Sequence, residues 1–372
     1  MNFILRHILV LAALCTFSNL FSQSKTNEEL KFEVLISGLD DTLKASNLYD
    51  LGFSLRVEDP MMAFECAKQV YKCSKKIQSK KYEAKAYNLL GILNYRNKNF
   101  HKALEYHTLA LQIREALHND LETGRSYTNL GNVYSDLESY ELSEKYHLKA
   151  LTIFLKYQDK KQILNSLCNL GVLKHAQKQD TPAVRNFIQA LTLAEQINDY
   201  ESRAMCCNNL GLIYEESENW EMAMNYYFEN VKLNEQMGSH GTLAKSYFNV
   251  GSVYVGMKEF DKAQPWLNRA LKVAEQYGQV DELLIIREKL ANIYADKGDF
   301  KLAYEFLNQN NLISVNGGSD EIENYMLFTL PSDEGQFGTP SILWPGQIIY
   351  FLLGILTTII VLITFGKFKN KK

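Results

Sequence analysis

The chain has 372 residues, 22% charged and 46% hydrophobic, a balance typical of folded domains that excludes a disordered or collagen-like chain. The formal net charge is −3. Arg6, Lys367, Lys369, Lys371 and Lys372 lie in terminal segments free of acidic residues, so the stretch between them holds an acidic excess of about eight. Such a balance offers no basic face for nucleic acid, and no nucleic-acid partner is expected.

In chain order, residues 1–22 read as a secretory signal peptide. Arg6 and His7 form a polar start, Ile8 to Phe17 an apolar run, and Leu20-Phe21-Ser22 a cleavage site before Gln23. Cys15 follows Leu14, where a lipoprotein site requires a small residue. Cleavage leaves Cys66, Cys73, Cys168, Cys206 and Cys207, an odd set without a CxxC pattern, which reads as core residues rather than a disulfide framework or zinc site. No N-x-S/T sequon occurs, which favours a bacterial periplasm over a eukaryotic secretory lumen. Residues 23–43 are expected to be an N-terminal cap segment.

From residue 44 the chain repeats every 40 residues. Gly91, Gly131, Gly171, Gly211 and Gly251 mark the period. A small residue follows each glycine slot by 12: Ala63, Ala103, Ser143, Ala183, Ala223, Ala263 and Ala303. Seven units result, over residues 44–310, with Leu51 and Ala291 in the glycine slot of the two outer units. In the third unit, Tyr127, Leu130, Gly131 and Tyr134 lie on one face of a helix at about 121–136. Leu142, Tyr146, Ala150 and Ile153 line a second helix at about 140–156. Each unit is therefore a helix-turn-helix hairpin whose apolar stripe is covered by its neighbours. The glycine is expected at the crossing with the second helix, where small residues permit close approach. Pro265, inside a second helix, is expected to kink it.

The order aromatic, Leu, Gly, Tyr, Ala, aromatic, Ala resembles the tetratricopeptide repeat in a lengthened, 40-residue form. The third unit supplies Tyr127, Leu130, Gly131, Tyr134, Ser143, His147 and Ala150; the sixth supplies Tyr247, Val250, Gly251, Tyr254, Ala263, Leu267 and Ala270. Asn94 and Lys174 depart from the pattern at the tyrosine slot. The resemblance implies an all-α fold: a right-handed α-solenoid of about seven repeats, followed here by a C-terminal transmembrane helix.

If the glycine faces the second helix, residues two before and one after it lie on the opposite, inner side, at ~100° per residue. Asn129, Asn169, Asn209 and Asn249 fill the first of these slots. An asparagine offers one acceptor and two donors, matching the N–H and C=O groups of an extended peptide. In peptide-binding relatives with the lengthened repeat, an asparagine in this slot contacts the peptide backbone, so the resemblance implies that role. The other reading is that these asparagines bond neighbouring repeats. Asn132, Asn208, Lys245 and Tyr95 are further polar candidates on the same side, with Arg96, Glu215 and Glu216; Cys168, Leu212 and Phe248 are apolar ones. Met205 and Ile285 occupy slots that a carboxylate clamp would fill with cations.

His107 and His147 hold equivalent second-helix slots and read as packing residues. No nucleophile–histidine–acid set, paired-carboxylate motif, phosphate loop or H-E-x-x-H is present. No enzymatic activity, metal or cofactor is expected. Residues 311–346 contain Pro331, Pro340, Pro345 and Gly317-Gly318 and read as a linker. Uncharged "IIYFLLGILTTIIVLITFG" follows within 347–366; about 19 residues at ~1.5 Å each span roughly 28 Å, the thickness of a bilayer core. The basic tail, 367–372, marks the cytoplasmic side and places the repeats outside it.

These features predict a single-pass protein of the cell membrane, with a periplasmic repeat scaffold binding an extended segment of a protein or peptide partner. The alternative is a sensor subunit that relays ligand binding to a membrane kinase or regulator. The arrangement resembles the sensing region of bacterial repeat-containing membrane sensors without their output domain.

Overall fold

The computed structural model describes residues 40–317. The expected signal peptide, membrane helix and basic tail lie outside this range, as do most of 23–43 and 311–346. Among the described residues there are fourteen α-helices and no strand. None of these helices is long and apolar enough to cross a membrane. By contact the chain divides after Leu93 into two compact units.

The first unit contains α1 (Asp41–Leu55), α2 (Pro60–Lys76) and most of α3 (Lys80–Arg96). Asp59 caps α2 by accepting the Met62 N–H, and Pro60 occupies the first turn, where its missing N–H costs nothing. The core joins Leu48, Cys66, Val70 and Ala86. Leu51 holds the glycine slot by count, but Gly52 is the residue that packs. A Cβ on Gly52 would lie 2.7 Å from Cys66 Cβ and 2.8 Å from Leu89 Cδ2. Relative to the expected register, α1 is turned by one residue, ~100°.

The second unit holds α4 (Phe100–Ala116), α5 (Asp120–Asp136), α6 (Tyr140–Lys156), α7 (Lys160–Ala176), α8 (Asp180–Gln196), α9 (Tyr200–Glu216), α10 (Trp220–Met237), α11 (His240–Gly256), α12 (Phe260–Tyr277), α13 (Val280–Asp296) and α14 (Phe300–Gly317). Helices α5 and α6 agree within a residue with the spans read from the apolar period. Odd-numbered helices open a repeat and even-numbered ones close it. From α4 to α14 each packs on the next in sequence, as a tetratricopeptide-like solenoid requires. The final helix continues to Gly317, and α12 runs through Pro265 from Phe260 to Tyr277.

Most helices are 17 residues long and are joined by three-residue turns, so the chain has a 20-residue rhythm inside the 40-residue one. Each turn from residue 78 onward carries one left-handed residue: Gln78, Lys98, His118 and so on to Gly298. The next residue closes the turn. Ser139 N–H, for example, donates to Tyr134 O at 2.8 Å, satisfying a carbonyl left open by the helix end. That same residue caps the helix that follows. Asp159, Asp199 and Asp299 each accept the N–H three residues on, at 3.1 Å.

Gly131, Gly171, Gly211 and Gly251 lie at the crossing within their hairpins. Ser143 Oγ donates to Gly131 O at 2.9 Å, confirming the small-residue contact expected there. The tightest neighbour is the aromatic slot four residues further on. A Cβ at Gly131 would meet the His147 ring at 2.6 Å; at Gly171 it would meet Phe187, at Gly211 Tyr227, and at Gly251 Leu267.

Candidate functional site

The first helices of three consecutive repeats, α7, α9 and α11, border a cavity of about 770 Å³ in the second unit. Its walls include Asn165 of α7, Met205 and Asn208 of α9, and Thr242, Lys245 and Ser246 of α11. Its floor is α10, through Asn230, Asn234 and Met237.

The floor has a cause in the sequence. Four other second helices of this unit place alanine at the slot of Asn230, namely Ala110, Ala150, Ala190 and Ala270, and α14 places Asn310 there. At the slot of Asn234 stand Arg114, Phe154, Ala194 and Ala274. Two amides in one helix make this floor polar, and both are buried and satisfied. Asn230 Nδ2 donates to Ala204 O at 2.7 Å, and Asn234 Nδ2 donates to Ser246 Oγ at 2.8 Å. Thr242 Oγ1 donates to Asn234 Oδ1 at 2.9 Å. A buried polar network of this kind is stable because each member is paired, and it holds the walls in one geometry.

Charges at the rim are partly compensated. Lys161 of α7 pairs with Asp199, the cap of α9, whose carboxylate also accepts from Ser202 N and Oγ. Burial works against ionisation of Asp199, but these donors outweigh it and hold the carboxyl below its ordinary range. Lys245 and Glu201 are exposed at the rim. Lys245 also borders a second, smaller hollow of about 120 Å³ with Phe248, Glu282, Ile285 and Ile286. Lys245 thus borders both cavities.

Of the residues singled out in the sequence, Asn208 and Lys245 line the cavity. The four repeated asparagines are not among its lining residues. Asn209 Nδ2 donates to Met205 O in its own helix at 2.8 Å. Asn249 is buried and its Nδ2 donates to Asn208 Oδ1 at 2.8 Å, bridging α11 to α9. That bond turns the Asn208 amide and leaves its N–H groups available to the cavity. Asn129, Asn169 and Asn132 are half-buried on α5 and α7. The Tyr95 hydroxyl bonds the Asp136 carboxylate; burial first, and that carboxylate second, push its pKa up. Glu215 accepts from Tyr227 Oη at 2.7 Å and packs within its repeat.

Sequence reasoning missed Asn165, Asn230, Asn234, Thr242 and Ser246. The available signal was the break at the alanine slot of the fifth repeat, which a search for what recurs passes over. Among the described residues no group of three or more His, Cys, Asp or Glu is placed to hold a metal ion.

No curated relative matches the chain. Solved structures do resemble it. One is aspartyl phosphate phosphatase F from Bacillus subtilis, at 16% identity and TM-score 0.57, spanning 86% of this chain and 82% of that one. A second is a signal transduction ATPase with a tetratricopeptide repeat sensor from Pyrococcus horikoshii, at 20% identity and TM-score 0.57, spanning 82% of this chain and 50% of that one. A third is NprR in complex with its cognate peptide NprX, at 16% identity and TM-score 0.52, spanning 84% and 94%. At these identities the likeness is one of fold. Tetratricopeptide repeat models match residues 82–156, 207–239 and 242–309, so the chain carries tetratricopeptide repeats.

Proposed function

We propose that the chain is a non-catalytic, membrane-tethered scaffold outside the cytoplasm, whose second unit binds an extended segment of a protein partner. The observation that carries this reading is the cavity on α7, α9 and α11, floored by Asn230 and Asn234, a pair of amides that no other second helix of this unit carries at both slots. Donors and acceptors on its walls suit a peptide backbone, which presents both kinds of group along its length. The apolar hollow beyond Lys245 suits one side chain of the same segment. NprR, similar in fold, is known in complex with a peptide, which supports the same use of the stack here.

Tethering and location rest on the sequence: a secretory start, an uncharged 19-residue run and a basic tail agree on one topology. Reporter fusions at Lys372 test it, with cytoplasmic activity expected and extracytoplasmic activity contradicting it. Selection from a displayed library of random peptides tests the binding site. Sequences enriched on the wild-type chain are expected to lose at least about tenfold in affinity, 1.4 kcal/mol, on a folded Asn208→Ala/Lys245→Ala variant. Equal binding to both, or no enrichment at all, would reject the site.

A further inference from the structure

Two of the five described cysteines meet. Cys168 on α7 and Cys206 on α9 are buried free thiols whose sulfurs lie 3.6 Å apart, joining consecutive repeats. Their pairing is not a by-product of the repeat. The slot of Cys206 holds serine at Ser126, Ser166 and Ser246, and the slot of Cys168 holds Thr128, Asn208 and Phe248. Each cysteine departs from the unit separately, and the two departures face each other. Leu164, Phe187, Leu210 and Ile213 enclose them in one apolar cluster. Disulfide sulfurs lie ~2.05 Å apart, so closure needs about 1.5 Å of approach, within reach of side-chain rotation and a small helix shift.

We propose that Cys168 and Cys206 form a redox modification site at which a small disulfide oxidant installs a cross-link between α7 and α9. One cysteine thiolate attacks the oxidant's S–S bond, giving a mixed disulfide and releasing one low-molecular thiolate. The second cysteine thiolate then displaces the other half. Two protein thiols are oxidised, one small disulfide is reduced to two thiols, and the two cysteine protons end on them. Cys168 keeps 3% of its surface and Cys206 none, so Cys168 is the entry thiol. The hydrogen bond with Cys168, and then burial, push the Cys206 thiol up, which makes the reaction slower than at an exposed cysteine. The bond joins the two helices that carry Asn165, Ala204, Met205 and Asn208, and so fixes the width of the cavity between them. The inference does not depend on what the cavity binds.

The test incubates the folded full-length chain with oxidised glutathione, alkylates the remaining thiols, and maps the digest by mass spectrometry. A Cys168–Cys206 linked peptide, the loss of two free thiols per chain and a Tm raised by several degrees are expected. Cys168→Ser and Cys206→Ser are each expected to abolish the linkage. Should either variant fail to fold, the map of the unmutated chain decides alone. Both cysteines fully alkylated, glutathione adducts without a linkage, a linkage through Cys66 or Cys207, or one formed only in urea would each overturn the proposal.

Discussion

At His147 the repeat places a titratable ring where its neighbours place Phe187 and Tyr227, against a glycine. The ring is 1% exposed, its Nδ1 has no hydrogen-bond partner, and burial pushes its pKa down to about 4. His107 is the same case one repeat earlier, pushed down to about 3 by burial and then by Arg114. In the unfolded chain both titrate near 6.5. Folding therefore excludes protons that the unfolded state takes up. The stabilising effect of a neutral ring is complete above pH 6.5 and is lost as pH falls towards 4. For His147 the loss reaches about 3 kcal/mol at pH 4. Urea titrations between pH 7 and 4 should show His147→Phe losing less stability on acidification than the wild type, by an amount of that order. Parallel curves would contradict it. The glycine slot has its own test: Gly211→Ala puts a methyl 2.5 Å from Tyr227 Cε1 and should cost about 1–3 kcal/mol in urea unfolding.

At the scale of the element, the helices and the places of the turns between them were legible, and the left-handed residue inside each turn was not. Apolar side chains three and four apart define a helix from any register, so α5 and α6 could be bounded within a residue. The turns depend on one left-handed residue each, and the usual mark of that conformation is glycine. Nine of these turn residues are not glycine, among them Gln158 and Glu218, so the 20-residue rhythm leaves little trace in composition. The backbone bond to the preceding helix end holds them there against a cost of about 1 kcal/mol. Two opposite substitutions follow. Glu218→Gly should stabilise by up to about 1 kcal/mol, and Gly238→Ala should destabilise by a similar amount. Nothing lies within 4 Å of a Cβ at Gly238, so backbone conformation alone sets that cost. Thermal melts showing no difference in either variant would contradict this account of the turn. The register of α1 escaped for a related reason: Leu51 fits the 40-residue count, whereas packing selects Gly52.

For the molecule as a whole, seven helix pairs could be read from a period, because stacking demands sameness. The cavity could not, because it arises where sameness fails. Asn230 and Asn234 look unremarkable in isolation and acquire meaning only against Ala190, Ala194, Ala270 and Ala274. The repeated asparagines drew attention through their recurrence, yet Asn209 and Asn249 spend their amides on Met205 and Asn208. The central claim is that the first-helix faces of α7, α9 and α11 take the partner. A photoreactive residue placed at Met205, which is 41% exposed on the cavity wall, tests it in intact cells, with Leu148, 46% exposed on α6, as the control. The account predicts a defined cross-linked partner from position 205 and none from 148; a partner captured from 148 and not from 205 would contradict it.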